Sequence, residues 1–199
     1  MRIEKLGSPQ LRKKCRQVRH EEIEGLCSSS PGSFTLRSCI DDLAQALEAF
    51  RLENGFGRAI SAPQIGYPLS VVALNLGYGT FHILNPVIVH RSADTFTLWD
   101  DCMSLDDTMV RVRRNKSISI EYVDTNGAQQ TWKNIDQATS ELLQHELDHL
   151  KGVLAVDIAE GSDKVPCVIS RRDFEAKKQH YLSFVDYAIE STLPVTSKL

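Results

Sequence analysis

The segment His145-Glu146-Leu147-Asp148-His149 constrains this chain more than any other stretch. Residues four apart on an α-helix lie one above the other on the same face, so both imidazoles can reach one metal ion. Glu146, between them, can lean over an open coordination position as a general base. The fold then has to hold this segment as a helix, bury the Leu142, Leu143 and Leu150 side of it, and bring up a third donor, because a catalytic site of this kind uses three protein ligands. The plainer reading is an amphipathic helix that carries two histidines. Spacing alone does not name the third ligand. The longer pattern H-E-x-x-H-x-x-G-x-x-H fails, since Gly152 falls in place but Ala155 stands where the third His belongs. The carboxylate of Asp157 and the thiol of Cys102, within Trp99-Asp100-Asp101-Cys102-Met103-Ser104, both remain open on chain geometry.

The remaining chain narrows the setting. At 199 residues, 42% hydrophobic and 25% charged, it predicts one folded domain, 1–199, rather than a disordered or low-complexity chain. A net charge of −3 gives no electrostatic case for nucleic acid as a partner. No apolar run approaches the roughly 18–20 residues of a membrane span, and the basic N-terminus has no apolar stretch behind it as a secretory signal would. Five scattered cysteines, an odd number, fit a reducing compartment with one thiol retained for its chemistry. The expected location is cytoplasmic, or organellar if a targeting segment has been removed.

Local patterns predict an α+β fold: antiparallel sheets around a central helix bearing the H-E-x-x-H motif, with an N-terminal and a C-terminal helix. Residues 20–37, with Ser28, Ser29, Ser30, Pro31 and Gly32 in succession, read as a surface loop. Ser38 and Asp41 then resemble a capping box, followed by Ile40, Leu43, Leu47 and Phe50 on one helical stripe and Asn54-Gly55 as a stop. Residues 69–76, 81–90 and 95–99 read as strands, and 117–123 returns through the turn at 124–127 to pair with 129–133. A helix is expected from Gln137 or Thr139 to Lys151, stopped by Gly152, and another over 171–189.

Three ordered segments give the chain a family likeness: Gly57-Arg58-Ala59-Ile60-Ser61-Ala62-Pro63-Gln64, then Asp100-Asp101-Cys102-Met103-Ser104, then Gln144-His145-Glu146-Leu147-Asp148-His149. They resemble the Gly-x-Gly-Leu-Ala-Ala-x-Gln, Glu-Gly-Cys-Leu-Ser and Gln-His-Glu-x-Asp-His signatures of the peptide deformylases. Residues 3–18 and Ile83-Leu84-Asn85-Pro86 are similar to the flanks of those signatures. The resemblance implies a metal-dependent hydrolase that removes the formyl group from the N-terminal formylmethionine of nascent polypeptides, with N-formylated peptide, met at the ribosome, as its partner. It implies Cys102, His145 and His149 as ligands of one divalent ion with water in the fourth position, Glu146 as the base, and Gln64 with the Met103 backbone N–H as oxyanion donors. Gly57 and Ala59 fall beside the substrate. Fe²⁺ is the ion the resemblance favours for activity, and a Cys-His-His set also suits Zn²⁺, Ni²⁺ or Co²⁺.

The match departs from the family at named positions. Ala59 replaces the second Gly of the first segment and narrows the approach of a peptide backbone. Ser61 replaces an Ala. In the second segment Asp100 stands for Glu, and Asp101 occupies a Gly position beside the ligand. There it is a costlier occupant if the backbone has positive φ. It also puts a negative charge near the metal, which raises the pKa of bound water and hinders an anionic substrate end. These changes are expected beside the substrate groove rather than at the metal. They motivate two other readings, a deformylase-fold amidase acting on another N-acyl substrate and a non-catalytic, metal-stabilised paralogue. Asp148 is expected to pair with an Arg of residues 110–114.

Overall fold

The computed structural model describes residues 2–28, 34–161 and 163–189. Its helices are α1 (His20–Ser28), α2 (Phe34–Asn54), α3 (Gln137–His149), α4 (Arg171–Ala176) and α5 (Lys178–Leu182). Its strands are β1 (Ala59–Ser61), β2 (Val71–Asn75), β3 (Thr80–Arg91), β4 (Thr95–Asp101), β5 (Thr108–Asn115), β6 (Ile118–Val123), β7 (Gln129–Trp132) and β8 (Val168–Ser170). They form two antiparallel sheets, one ordered β1-β2-β3-β6-β7 and the other β4-β5-β8. β1 and β4 are therefore edge strands, each with one side that no other strand pairs among the described residues.

β2 shows why the larger sheet reads as a continuous apolar run: it is buried on both faces. With side chains alternating across the sheet, Val71 and Ala73 pack with Leu36, Cys39, Leu43 and Leu47 of α2. Val72 and Leu74 face the other way, with Leu142, Leu143, Leu147 and Leu150 of the α3 region. The alternating Ile118, Ile120 and Tyr122 of β6 join that second cluster, and β6 pairs with β7 from Ile120↔Trp132 to Val123↔Gln129, as the turn at 124–127 requires. α3 begins where the Asp136 carboxylate accepts from the Thr139 N–H. Gly152, at φ 77, ends the helical path, and a Cβ there would meet the Arg12 carbonyl oxygen at 2.6 Å.

Three expectations are corrected. Residues 20–37 are not one loop: α1 occupies His20–Ser28, with Glu21 and Glu22 in its first turn and Ile23 buried in the core. Of the Ser-Pro-Gly run, residues 29–33 lie outside the described residues. Ser38 does not start α2, which begins at Phe34, because buried Leu36 carries the stripe of Cys39 and Leu43 back past it. The helix expected over 171–189 breaks into α4 and α5 at Lys177 (φ −130, ψ 36) and ends at Leu182. Beyond it the chain is captured by the open edge of β4: the Asp186 and Tyr187 N–H groups both donate to the Thr97 carbonyl. The Asp186 carboxylate accepts from the Thr97 N–H (2.9 Å) and hydroxyl (2.8 Å). Those bonds replace the helical ones that continuation would have made.

Candidate metal centre

Two elements that are far apart in sequence deliver the donors. α3 carries His145 and His149 one turn apart, and β4 ends directly in Cys102. Pairing with β5 through Asp100↔Val110 and Asp101↔Met109 fixes the end of β4. The result is a buried cluster. His149 Nε2 lies 3.1 Å from His145 Nε2 and 3.2 Å from Cys102 Sγ, and all three donor atoms fall within 4.8 Å of one another. Asp157 is elsewhere, paired with Arg12 and accepting from the Leu154 N–H. Of the two candidates for third donor, the fold brings Cys102 to the histidines.

The donor set can be tested against an ion. A tetrahedral centre with nitrogen at about 2.0–2.1 Å and sulfur at about 2.3 Å has ligand–ligand edges of roughly 3.3–3.6 Å. The two short edges here, 3.1 and 3.2 Å, are close to that, and imidazole nitrogens with a thiolate are the donors such ions take. His145 is also oriented for it. Its Nδ1 faces Asp100 Oδ2 at 2.9 Å, a bond that leaves the Nε2 lone pair for a metal. Burial would raise the Asp100 carboxyl, but His145 and Arg114 outweigh it and hold it down at about 2. Burial and the neighbouring His145 together keep His149 neutral, the state a ligand needs. The group fits.

Glu146 follows His145 on the helix, is 3% exposed, and has no hydrogen-bond partner for Oε2 among the described residues. Burial pushes its carboxyl up to about 7, with His145 and the Ser61 hydroxyl pulling the other way. Gln64 lies in the tight turn Ala62–Ile65 that follows β1. Its Oε1 accepts from the Ser61 N–H (2.8 Å) and hydroxyl (2.9 Å), which aims Nε2 at Cys102 Sγ (3.6 Å) and Ser104 Oγ (3.2 Å). The Ser104 N–H also donates to the sulfur at 3.4 Å.

The centre opens into a cleft of about 850 Å³ lined by Gly57, Ala59, Gln64, Met103, Glu141 and Glu146, among others. Gly57 is required there, since at φ 125 a Cβ would stand 2.9 Å from the Phe50 ring. Met103 lends its carbonyl to Lys5, and its N–H makes no backbone hydrogen bond among the described residues. Ala59 has ordinary strand geometry opposite Leu74.

Known proteins can now be set beside this geometry. Residues 1–165 match the family model described as polypeptide deformylase. This chain belongs to the polypeptide deformylase family. A peptide deformylase of Pseudothermotoga lettingae is 30% identical over 161 residues, 81% of this chain and 84% of the relative. The solved peptide deformylase of Thermotoga maritima has TM-score 0.66 at 26% identity, covering 80% of this chain and 97% of that one. A peptide deformylase from Synechococcus elongatus, solved in complex with actinonin, has TM-score 0.66 at 25% identity over 97% of this chain and 90% of that one.

Against the deformylase signatures, two expectations change. Asp100 lines the cleft as expected, but it also stands behind His145, which it orients. Arg114 backs it in turn, with Nη2 at 3.3 Å from Asp100, and also pairs with Asp148, the partner expected from residues 110–114. The signal was in the sequence, since a metal-bound His usually needs a carboxylate behind it and Asp100 stands two residues before the thiol. Asp101 has no positive φ and leaves no bare charge by the metal, because Arg171 pairs with it at 2.9 Å. A second pair was not anticipated: Arg58 bridges to the buried Glu141 of α3 and donates to the Ala138 carbonyl at 2.8 Å.

Proposed function

We propose that the protein is a peptide deformylase that hydrolyses the formyl amide at the N-terminal formylmethionine of polypeptides as they leave the ribosome, in a cytoplasmic translation setting. One observation carries the reading: a buried Cys-His-His donor set with the buried Glu146 carboxyl on the same helix, its Oε2 without a hydrogen-bond partner among the described residues. Cys102, His145 and His149 would hold one divalent ion, with Fe²⁺ the ion in use. When bound, it supplies Lewis acidity that lowers the pKa of water toward neutrality.

The chain's own residues do the rest. A carboxyl raised to about 7 is matched to proton transfer near neutral pH. Glu146 takes one proton from the attacking water and hands it to the methionine nitrogen as the C–N bond breaks, so that water and formyl-peptide become formic acid and a free amine, and the acid's proton then passes to that amine to leave formate and the ammonium form. Gln64 and the Met103 N–H are the donors for the developing oxyanion. Gln64 Nε2 can release its bond to neutral Ser104 Oγ for a negatively charged acceptor, because charge-assisted bonds are roughly twice as strong. The two edge strands, β1 and β4, both border the cleft and offer backbone to an extended peptide, apart from Thr97 and the Ser61 N–H, which are already bonded.

A non-catalytic paralogue would not need Glu146. A structural ion is usually enclosed by four protein ligands, and a buried carboxyl with one oxygen unpartnered costs stability. The test is anaerobic preparation with Fe²⁺ and comparison of formyl-Met-Ala with acetyl-Met-Ala and longer acyl peptides. A large preference for formyl is expected. Turnover confined to another acyl group, or none with the metal bound, would overturn the reading.

A further inference from the structure

The match to the family model ends at residue 165, yet the cleft does not. Arg171, Phe174, Lys178, Leu182, Ala188 and Ile189 form part of its wall. This C-terminal segment is tied to β4 at three levels. Arg171 pairs with Asp101, the residue next to Cys102 that stands at a Gly position of the signature. Trp99 donates its Nε1–H to the Tyr181 carbonyl at 2.9 Å, and its ring packs edge-on against Tyr181 and tilted against Phe174. Asp186 and Tyr187 close the β4 edge at Thr97.

The groove has a direction. β1 runs into the turn holding Gln64 and β4 runs into Cys102, so the C-terminal end of each strand is at the metal centre and the N-terminal end lies away from it. Along β4 the distance from Cys102 back to Thr97 is about 17 Å at roughly 3.3 Å per residue. That leaves room for about four extended residues before the chain meets the segment at 186–189.

On the deformylase reading, we propose that residues 168–189, latched by the Arg171–Asp101 pair, are the specificity-determining wall of the cleft and contact the third and fourth residues of the substrate peptide. The replacement of Gly by Asp101 then has a reason: it anchors this wall. Arg171 acts as a positioning residue, outside the chemistry.

The experiment compares wild type, Arg171→Ala and Arg171→Lys, each loaded with Fe²⁺, on formyl-Met-Ala and formyl-Met-Ala-Ser-Leu. In Arg171→Ala the KM of the tetrapeptide should rise about three- to tenfold relative to that of the dipeptide, with the ratio of their kcat values kept, and Arg171→Lys should recover most of the loss. Binding gives a second readout: in a Trp132→Phe background, quenching of Trp99 emission by the product Met-Ala-Ser-Leu should weaken by the same factor, and by Met-Ala much less. A KM change of equal size for both lengths would overturn the proposal, as would a fall in the tetrapeptide KM, which would make the segment an obstruction. Absence of wild-type turnover on either formyl peptide would overturn the deformylase reading, and this one with it.

Discussion

Replacing Asp100 by Asn removes one charge from behind the metal centre without changing the side chain's shape. Asp100 is 3% exposed, and its Oδ2 serves both His145 Nδ1 (2.9 Å) and Arg114 Nη2 (3.3 Å). The Asn oxygen can still accept from the imidazole, but as a neutral acceptor it makes a bond roughly half as strong. His145 becomes a less basic and less firmly oriented ligand, and losses of this type typically cost about 10–100-fold in metal affinity. That factor corresponds to about 1.4–2.8 kcal/mol. The apo protein should suffer separately. Arg114, buried and already without a partner for Nε among the described residues, keeps only the partly exposed Asp148 carboxylate. Stripping one partner from a buried pair costs about 3–5 kcal/mol, and the surviving partner brings the expectation here to about 2–3 kcal/mol. Anaerobic Co²⁺ titration against a competing chelator measures the first loss, and urea unfolding of the metal-free protein the second. Asp100→Glu, which restores the residue of the family signature, should retain most of the affinity. If Asp100→Asn bound Co²⁺ as tightly as wild type, the argument that this carboxylate orients His145 would be refuted.

Gln64→Leu should lower kcat on formyl-Met-Ala by on the order of 100-fold with metal content unchanged, the typical cost of one oxyanion donor; an unaltered rate would remove Gln64 from the mechanism. Gly152→Ala places a Cβ 2.6 Å from the Arg12 carbonyl oxygen at φ 77, where an L side chain alone costs roughly 1–2 kcal/mol. Urea unfolding should therefore show a loss above that figure, and a smaller one would mean that the Arg12 backbone yields. Glu22 accepts both terminal nitrogens of Arg16 at 2.8 Å and the Arg19 N–H at 2.9 Å, and Arg16 above all holds its carboxyl down at about 2, against burial. Because the folded value lies below the ordinary one, this stabilisation is complete above about pH 4.3 and disappears as pH falls toward 2. Glu22→Gln should cost about 1–3 kcal/mol at pH 7 and flatten the decline of stability between pH 4 and 2. Parallel curves for the two proteins would remove Glu22 from the acid response.

What could be read from the sequence divides by range. α3 was legible because its signals are local: leucines along one side, a terminal glycine, and two histidines one turn apart. β2, β3, β4 and the β6–β7 hairpin were legible for the same reason. β5 was not, because Thr108–Asn115 carries three arginines that mask its alternation, and one of them, Arg114, is buried only because Asp100 and Asp148 come from other elements to meet it. α1 was hidden by the Ser-Pro-Gly run behind it. The end of the chain was misjudged for a different reason: helical spacing over 171–189 is genuine, but nothing local says that β4 has an open edge at Thr97 ready to bind Asp186. The same limit governed the choice between Cys102 and Asp157, which spacing left even and which the meeting of β4 with α3 decides. It also governed the departures from the family signatures. Taken alone, Asp101 looked like a charge placed beside a metal, and Arg58, at a variable position of the first segment, carried no signal at all. Each has an oppositely charged partner from another element, Arg171 for the first and Glu141 for the second. A departure from a family pattern is therefore better weighed as a pair than as a residue. Asp101 is answered by Arg171 from a segment beyond the residues that the family model matches.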